Sequence, residues 1–127
     1  MLQVLPDAEL ETEQDEKADD AVHCVQCGHL VTRTRWALSM GGHEHVFFNP
    51  AGVIFRVVCF AEAPGAADEG TPTDEFTWFK DYLWNFARCR GCGAHLGWRF
   101  SGNDDPQVFF GLIKSRLTDM PASRERA

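Results

Sequence analysis

Two cysteine pairs, each with a two-residue spacer, stand far apart in the chain: Cys24-Val25-Gln26-Cys27 and Cys89-Arg90-Gly91-Cys92. A two-residue spacer lets one tight turn present two thiolates to the same ion, and two such turns complete a tetrahedron of four sulfurs. Zinc suits that ligand set best, being redox-silent and satisfied by four thiolates. Gly28, Gly91 and Gly93 follow or split the pairs, where small residues let backbone N–H groups reach the sulfurs. Sixty-one residues separate Cys27 from Cys89. The ion must therefore join distant parts of the chain, which describes a closed structural site with no open position for substrate. Paired disulfides are the competing reading. They need an oxidising compartment, and the opening MLQVLPDAEL has neither a basic n-region nor a long apolar stretch to serve as a secretory leader. A redox dithiol belongs at a helix N-terminus after a strand, a setting neither pair has. The expected location is cytoplasmic.

The 127 residues suffice for one core and one domain. The formal net charge of −7 is localised. Residues 1–20 hold eight acids and only Lys17 as a base, and the remainder carries eleven of each. The segment 1–20 reads as an acidic, disordered tail, because without aromatic residues it cannot bury enough surface to order itself. Residues 21–120 form the domain, and PASRERA (121–127) is a polar C-terminal tail. A neutral domain offers no basic field for phosphates, so nucleic acid is not the expected partner. No window approaches eighteen apolar residues, so no membrane helix is expected.

Along the domain the texture is that of short antiparallel strands. Val31, Thr32, Thr34 and Trp36 lie in a β-like run that Gly41-Gly42 breaks. Asn49-Pro50-Ala51-Gly52 is a turn between two β-branched and aromatic runs, which predicts a hairpin. Residues 63–75, rich in Pro, Gly and acids, read as a loop, and 76–89 as an aromatic-dense run in which Phe76 and Trp78 share a strand face. HLGWRF (95–100) alternates as a strand, 101–106 is a turn, and 107–118 holds a last strand or two. The fold class is mostly β.

Eight of the fifteen aromatic residues fall within 76–100: Phe76, Trp78, Phe79, Tyr82, Trp84, Phe86, Trp98 and Phe100. Such a cluster can be plain core. Tryptophan, however, is seldom wholly buried because its N–H needs a partner, and three of them in a stapled β domain suggest a walled pocket for a flat, compact ligand. A quaternary cation held by cation–π attraction is the alternative. It gains from a nearby carboxylate, and Asp81 is the only acid between Trp78 and Phe100. Cys59, in the apolar run VVCFA, reads as a buried core thiol. His95 extends the second pair to Cys-x-x-Cys-x-x-His and could replace a thiolate. His23 reads as structural, and His43 and His45 as a surface turn.

The strings Cys24-Val-Gln-Cys27, Asn49-Pro50-Ala51-Gly52, Trp78-Phe79-Lys80-Asp81-Tyr82-Leu83-Trp84, Cys89-Arg-Gly-Cys92, His95-Leu96-Gly97-Trp98-Arg99-Phe100 and Phe110-Gly111-Leu112 occur in this order in the thalidomide-binding (CULT) domain family of cereblon. The chain resembles a free-standing member of that family, of the kind found in bacteria, over residues 22–118. The resemblance implies two antiparallel sheets set at a steep angle (a β-tent) and pinned by one structural Zn²⁺ on Cys24, Cys27, Cys89 and Cys92. It implies a ligand cage of Trp78, Trp84 and Trp98 with Phe100 as a fourth aromatic, Asn49 and Pro50 at the rim and Phe55 at the far side. It also implies that the backbone C=O of Phe76 and N–H of Trp78 hold the imide of a glutarimide ring, as in thalidomide-like drugs, or of a related small ring. Eukaryotic relatives carry His where this chain has Phe76.

The function so implied is a non-enzymatic small-molecule or degron-type binding module. Its partners would be cyclic imides, free or at the C-termini of proteins, and neither nucleic acid nor membrane. Two other classes compete. One is a zinc-pinned enzyme similar to methionine sulfoxide reductases of the B type, which needs a reactive cysteine that no position after Cys92 supplies. The other is a reader of methylated ammonium groups.

Overall fold

A computed structural model describes residues 20–119. Nine strands follow in chain order: β1 (Ala21–Cys24), β2 (Leu30–Arg33), β3 (Glu44–Phe48), β4 (Ile54–Phe60), β5 (Ala66–Thr73), β6 (Tyr82–Cys89), β7 (His95–Gly102), β8 (Val108–Ile113) and β9 (Leu117–Thr118). Two 3₁₀ turns, Thr34–Trp36 and Lys114–Arg116, are the only helical pieces among the described residues. The mostly-β expectation holds. The strands form two antiparallel sheets, a small one ordered β2-β1-β9 and a large one ordered β3-β4-β8-β7-β6-β5.

The two faces of the large sheet carry two cores, as strand alternation requires. On one face Val58, Phe60, Ala66, Ala87, Cys89, Leu96 and Leu112 pack with Cys24 and Val31 of the small sheet. On the other, Val57, Cys59, Trp98, Phe100, Phe109 and Ile113 pack with Phe79 and Tyr82. Gly111 makes this second core possible. A Cβ there would stand 2.9 Å from Val57 Cγ1 and 3.0 Å from the Phe100 ring, so only glycine lets that ring lie against β8.

The predicted hairpin is β3–β4, with Phe48 paired to Ile54. Asn49 closes it: its Oδ1 accepts from Val53 N at 2.9 Å and its carbonyl from Gly52 N at 2.8 Å. Three local expectations are corrected. Residues 66–73 are a strand, not loop. β5 is the outer strand of the large sheet, so its polar side chains face water without cost to the core, and its register slips between Glu69 and Thr73. Residues 74–81 are a turn, not a strand, so Phe76 and Trp78 do not share a strand face; Phe76 (φ 58°) and Asp81 (φ 72°) sit in the left-handed region. The β-like run at 31–36 stops at Arg33, after which the chain enters the first 3₁₀ turn.

Asp20, grouped with the tail by charge alone, is tied to the domain. Its carboxylate accepts from Arg35 Nε at 2.7 Å and Arg33 Nη1 at 3.1 Å, and its carbonyl accepts from Thr34 N. The Arg35 hydrogen bond holds the Asp20 carboxyl below the usual carboxylate range. The tails 1–19 and 120–127 lie outside the described residues.

Candidate functional site

The first functional element is the cysteine cluster. The turn after β1 presents Cys24 and Cys27, and the turn after β6 presents Cys89 and Cys92. All four sulfurs lie within 4.8 Å of one another, with Cys24–Cys92 at 3.8 Å and Cys27–Cys89 at 3.6 Å. A tetrahedral zinc at about 2.3 Å from each sulfur needs edges of about 3.8 Å, so the donor set suits a single zinc. Backbone amides already point at the sulfurs: Gly91 N–H donates to Cys89 Sγ at 3.2 Å. The Ala94 N–H holds Cys92 below the ordinary thiol range, while burial pushes Cys24 up. Four thiolates this close repel one another unless a cation sits among them. The residues therefore form one structural zinc site joining the small sheet to the large one.

His95, weighed as a substitute ligand, is not part of that cluster. Its Nε2 donates to Gly97 O at 3.0 Å, its ring meets Phe86 and Trp98 edge-on, and burial pushes its pKa below the ordinary value. His23 Nδ1 lies 3.1 Å from Gly28 O, a structural contact. His43 is in the bend before β3 and meets Phe60 edge-on, but His45 is on β3 itself, stacked on Phe47. Cys59 is fully buried, which pushes its thiol up to about 11.

The second element is a cavity of about 540 Å³ on the other face of the large sheet. It is lined by Asn49, Pro50, Phe55, Phe76, Trp78, Trp84, Trp98 and Phe100, together with Glu75, Phe86 and His95. Three segments build it: the β3–β4 hairpin, the 74–81 turn, and the neighbouring strands β6 and β7. Trp84 and Phe86 alternate onto one face of β6, where register sets them opposite Phe100 and Trp98 of β7. Trp78 is held from two sides. It stacks on Phe47 at 4.6 Å, and its indole N–H donates to Phe48 O at 3.0 Å. Trp78 also meets Trp98 edge-on at 4.7 Å, and Phe55 meets Trp98 at 5.2 Å. The Trp84 indole N–H donates to Glu75 O at 2.7 Å, fastening the turn to β6. The rings are thus positioned by hydrogen bonds and by each other, with Phe100 as a fully buried floor.

The turn leaves its own polar groups available. Among the described residues, neither the Phe76 carbonyl nor the Trp78 backbone N–H has a hydrogen-bond partner. The Phe76 side chain is 70% exposed. Sequence reading missed three lining residues. Phe86 and His95 were visible as an aromatic and a possible ligand, but only the β6–β7 register puts them on the cavity wall. Glu75 lies just outside the Trp78–Phe100 interval searched for acids. It brings a second acidic residue beside the cavity, next to the Trp84 indole that its carbonyl holds.

No family model matches the chain. The segment is similar to part of "Protein cereblon" in several animals. It is 35% identical to the chicken (Gallus gallus) protein over 100 residues, 74% of this chain and 22% of that one. It is 32% identical to the Xenopus tropicalis protein over 98 residues, 75% of this chain and 22% of that one. It is 38% identical to the Drosophila mojavensis protein over 112 residues, 80% of this chain and 16% of that one. The chain thus spans less than a quarter of the length of these curated relatives.

Proposed function

The chain carries a cereblon-like CULT domain, and on that premise we propose that its aromatic cavity is a non-catalytic binding site for cyclic imides such as a glutarimide ring. The observation that carries the reading is the joining of Trp78, Trp84 and Trp98 around one cavity whose bordering turn keeps a backbone acceptor and a backbone donor unengaged. A six-membered imide offers one N–H between two carbonyls, with apolar CH₂ edges. The indole walls suit the edges. The Phe76 carbonyl would accept the imide N–H, and the Trp78 N–H would donate to an imide oxygen. Because a buried group left unpaired costs about 1–3 kcal/mol, a ring without the N–H is rejected. Phe76 itself adds no side-chain hydrogen bond. The same chemistry accommodates a protein whose C-terminus ends in a cyclic imide.

A sulfoxide-reducing enzyme is disfavoured by the thiols: four fit the zinc, and Cys59 is buried with its pKa raised. Binding of a quaternary ammonium ion is the second reading, favoured by Glu75 on the cavity wall. One calorimetric series separates the two. The imide reading expects glutarimide to bind, with N-methylglutarimide weaker by at least tenfold and tetramethylammonium silent. Equal binding of both imides refutes the hydrogen-bond pattern, and binding of tetramethylammonium alone replaces it with the cation reading.

A further inference from the structure

Independently of the cavity and its ligand, the large sheet leaves one of its edges open. A strand edge carries unpaired N–H and C=O groups, and folded proteins shorten, cover or disrupt it. Three of the four edges of the two sheets are treated in that way. β5 carries Gly70 at φ 93°, Pro72, the acids Asp68 and Glu69, and a register slip between Glu69 and Thr73. β2 is covered at Val31, whose carbonyl accepts from Gly65 N–H at 2.9 Å; a Cβ on Gly65 would stand 2.0 Å from Leu30 O. β9 is two residues long. β3 has no proline, glycine, bulge or covering segment among the described residues. It pairs with β4 in unbroken register from Glu44 to Phe48. Its one charged residue, Glu44, stands at the end of the strand and is neutralised by Lys114 and Arg56. Val46 and Phe48 are 50% and 60% exposed.

The ladder with β4 shows which backbone groups face out. Cys59 N–H donates to His43 O and Asn49 N–H to Val53 O, so positions 43 and 49 are in hydrogen-bonding step with β4. Antiparallel ladders alternate. His45 and Phe47 therefore aim their backbone groups at β4, and Glu44, Val46 and Phe48 aim theirs away. The Phe48 carbonyl accepts the Trp78 indole N–H, and the other outward groups have no partner among the described residues. A free peptide strand added here would turn an open edge of its own to the water. β3 of a second copy is already paired with β4 on its far side, so one contact closes both edges. Antiparallel pairing about a two-fold axis at Val46 is the register that engages all three outward residues of both strands. The two Val46 residues then exchange hydrogen bonds, and each Phe48 N–H donates to the second copy's Glu44 carbonyl. Val46 packs on Val46 and Phe48 stands opposite Glu44, so no like charges face each other.

We propose that this domain forms a two-fold dimer through β3, joining the two large sheets into one. Residues directly opposite in an antiparallel pair share a face, so both cavities lie on the same side of the joined sheet. The contact is short and the dimer accordingly weak, so the test raises the concentration of the full zinc-loaded chain. Between about 20 μM and about 1 mM, sedimentation equilibrium should show a mass climbing toward twice that of the chain. Over the same range the Val46 and Phe48 amide hydrogens should slow in exchange by about threefold or more, as mass action buries them. Those of His45 and Phe47, already bonded to β4, should not change. Val46→Lys sets two like charges on the axis while its side chain stays in water in the single chain. It should abolish both signals, with zinc content and the Tm of the dilute protein unchanged. A chain that stays monomeric at the highest concentration overturns the proposal, as does a dimer whose Val46 and Phe48 amides exchange as fast as in dilute solution. Protection that does not depend on concentration overturns it too, because a segment of the same chain then occupies the edge. A dimer that survives Val46→Lys does the same, because another face then makes the contact.

Discussion

Replacing Trp84 with alanine separates a cavity wall from a core residue. Trp84 is half-buried and is held by its 2.7 Å hydrogen bond to Glu75 O and one edge-on contact with Phe86. The hydrogen bond is worth about 1 kcal/mol and the ring contact about 0.5–1.5 kcal/mol, so the fold should lose about 2 kcal/mol. For a domain of this size that is a drop of roughly 10 °C in Tm. Trp98 differs. It is 7% exposed and packed among Phe55, Trp78 and His95, so Trp98→Ala opens a cavity costing about 3–5 kcal/mol. Loss of a central aromatic anchor typically costs 2–4 kcal/mol of binding, which is about 30- to 1000-fold in Kd. Trp84→Ala should therefore remove measurable glutarimide binding at micromolar protein while keeping one zinc per chain and a cooperative melt. Calorimetric titration, differential scanning calorimetry and zinc analysis read the three quantities. Unchanged binding in Trp84→Ala, or a melt lowered as far as in Trp98→Ala, would refute the division between wall and core.

Further outcomes follow from the same geometry. Cys24→Ser should leave the domain unfolded or aggregated, because zinc binding across 61 intervening residues is folding energy; Cys59→Ser, which places a hydroxyl in an apolar core, should cost about 1–3 kcal/mol and keep the metal, as circular dichroism and zinc analysis will show. Gly111→Ala drives a methyl to within 3.0 Å of the Phe100 ring and should lift that ring into the cavity; a weakened glutarimide affinity with zinc retained checks it. For His95, the folded pKa lies below the unfolded value of 6.5. Its neutral form therefore contributes stability that is fully present above about pH 6.5 and is lost as pH falls through the folded value. An NMR titration of the His95 ring should give a midpoint below 6.5, and a midpoint at or above it would contradict burial as the cause.

The zinc site was legible because its signal is local twice over. Each pair declares itself by a two-residue spacer, and only the joining of the pairs was left to the fold. The β3–β4 hairpin was legible for the same reason, since Asn49-Pro50-Ala51-Gly52 carries its own turn chemistry. β5 was not. Its Gly, Thr and acidic residues have a loop's composition, and it is a strand only because β6 supplies a ladder on one side. The 74–81 turn was hidden in the opposite way. Its aromatic density imitates a strand, yet Trp78 and Trp84 are fixed by indole hydrogen bonds to carbonyls of Phe48 and Glu75 that no periodicity reveals. Phe86 and His95 reach the cavity through cross-strand register, a property of two strands together.

The two elements of the site meet on β6. Its residues Cys89 and Ala87 pack in the core shared with the small sheet, while Phe86 and Trp84 alternate toward the cavity. At the zinc end the register slips between Ala87 and Arg88, so the strand needs an external anchor there. Cys89, bound with Cys92 to the partners from β1, is that anchor. β7 leaves the same turn and carries His95, Trp98 and Phe100 into the cavity within eight residues of Cys92. The dependence therefore runs one way. Removing the zinc frees the ends of both strands that carry the walls, so the proposed glutarimide binding is expected to be lost with it. Emptying the cavity or removing one wall leaves the cysteine turns, which pack on the opposite face of the sheet, where they were.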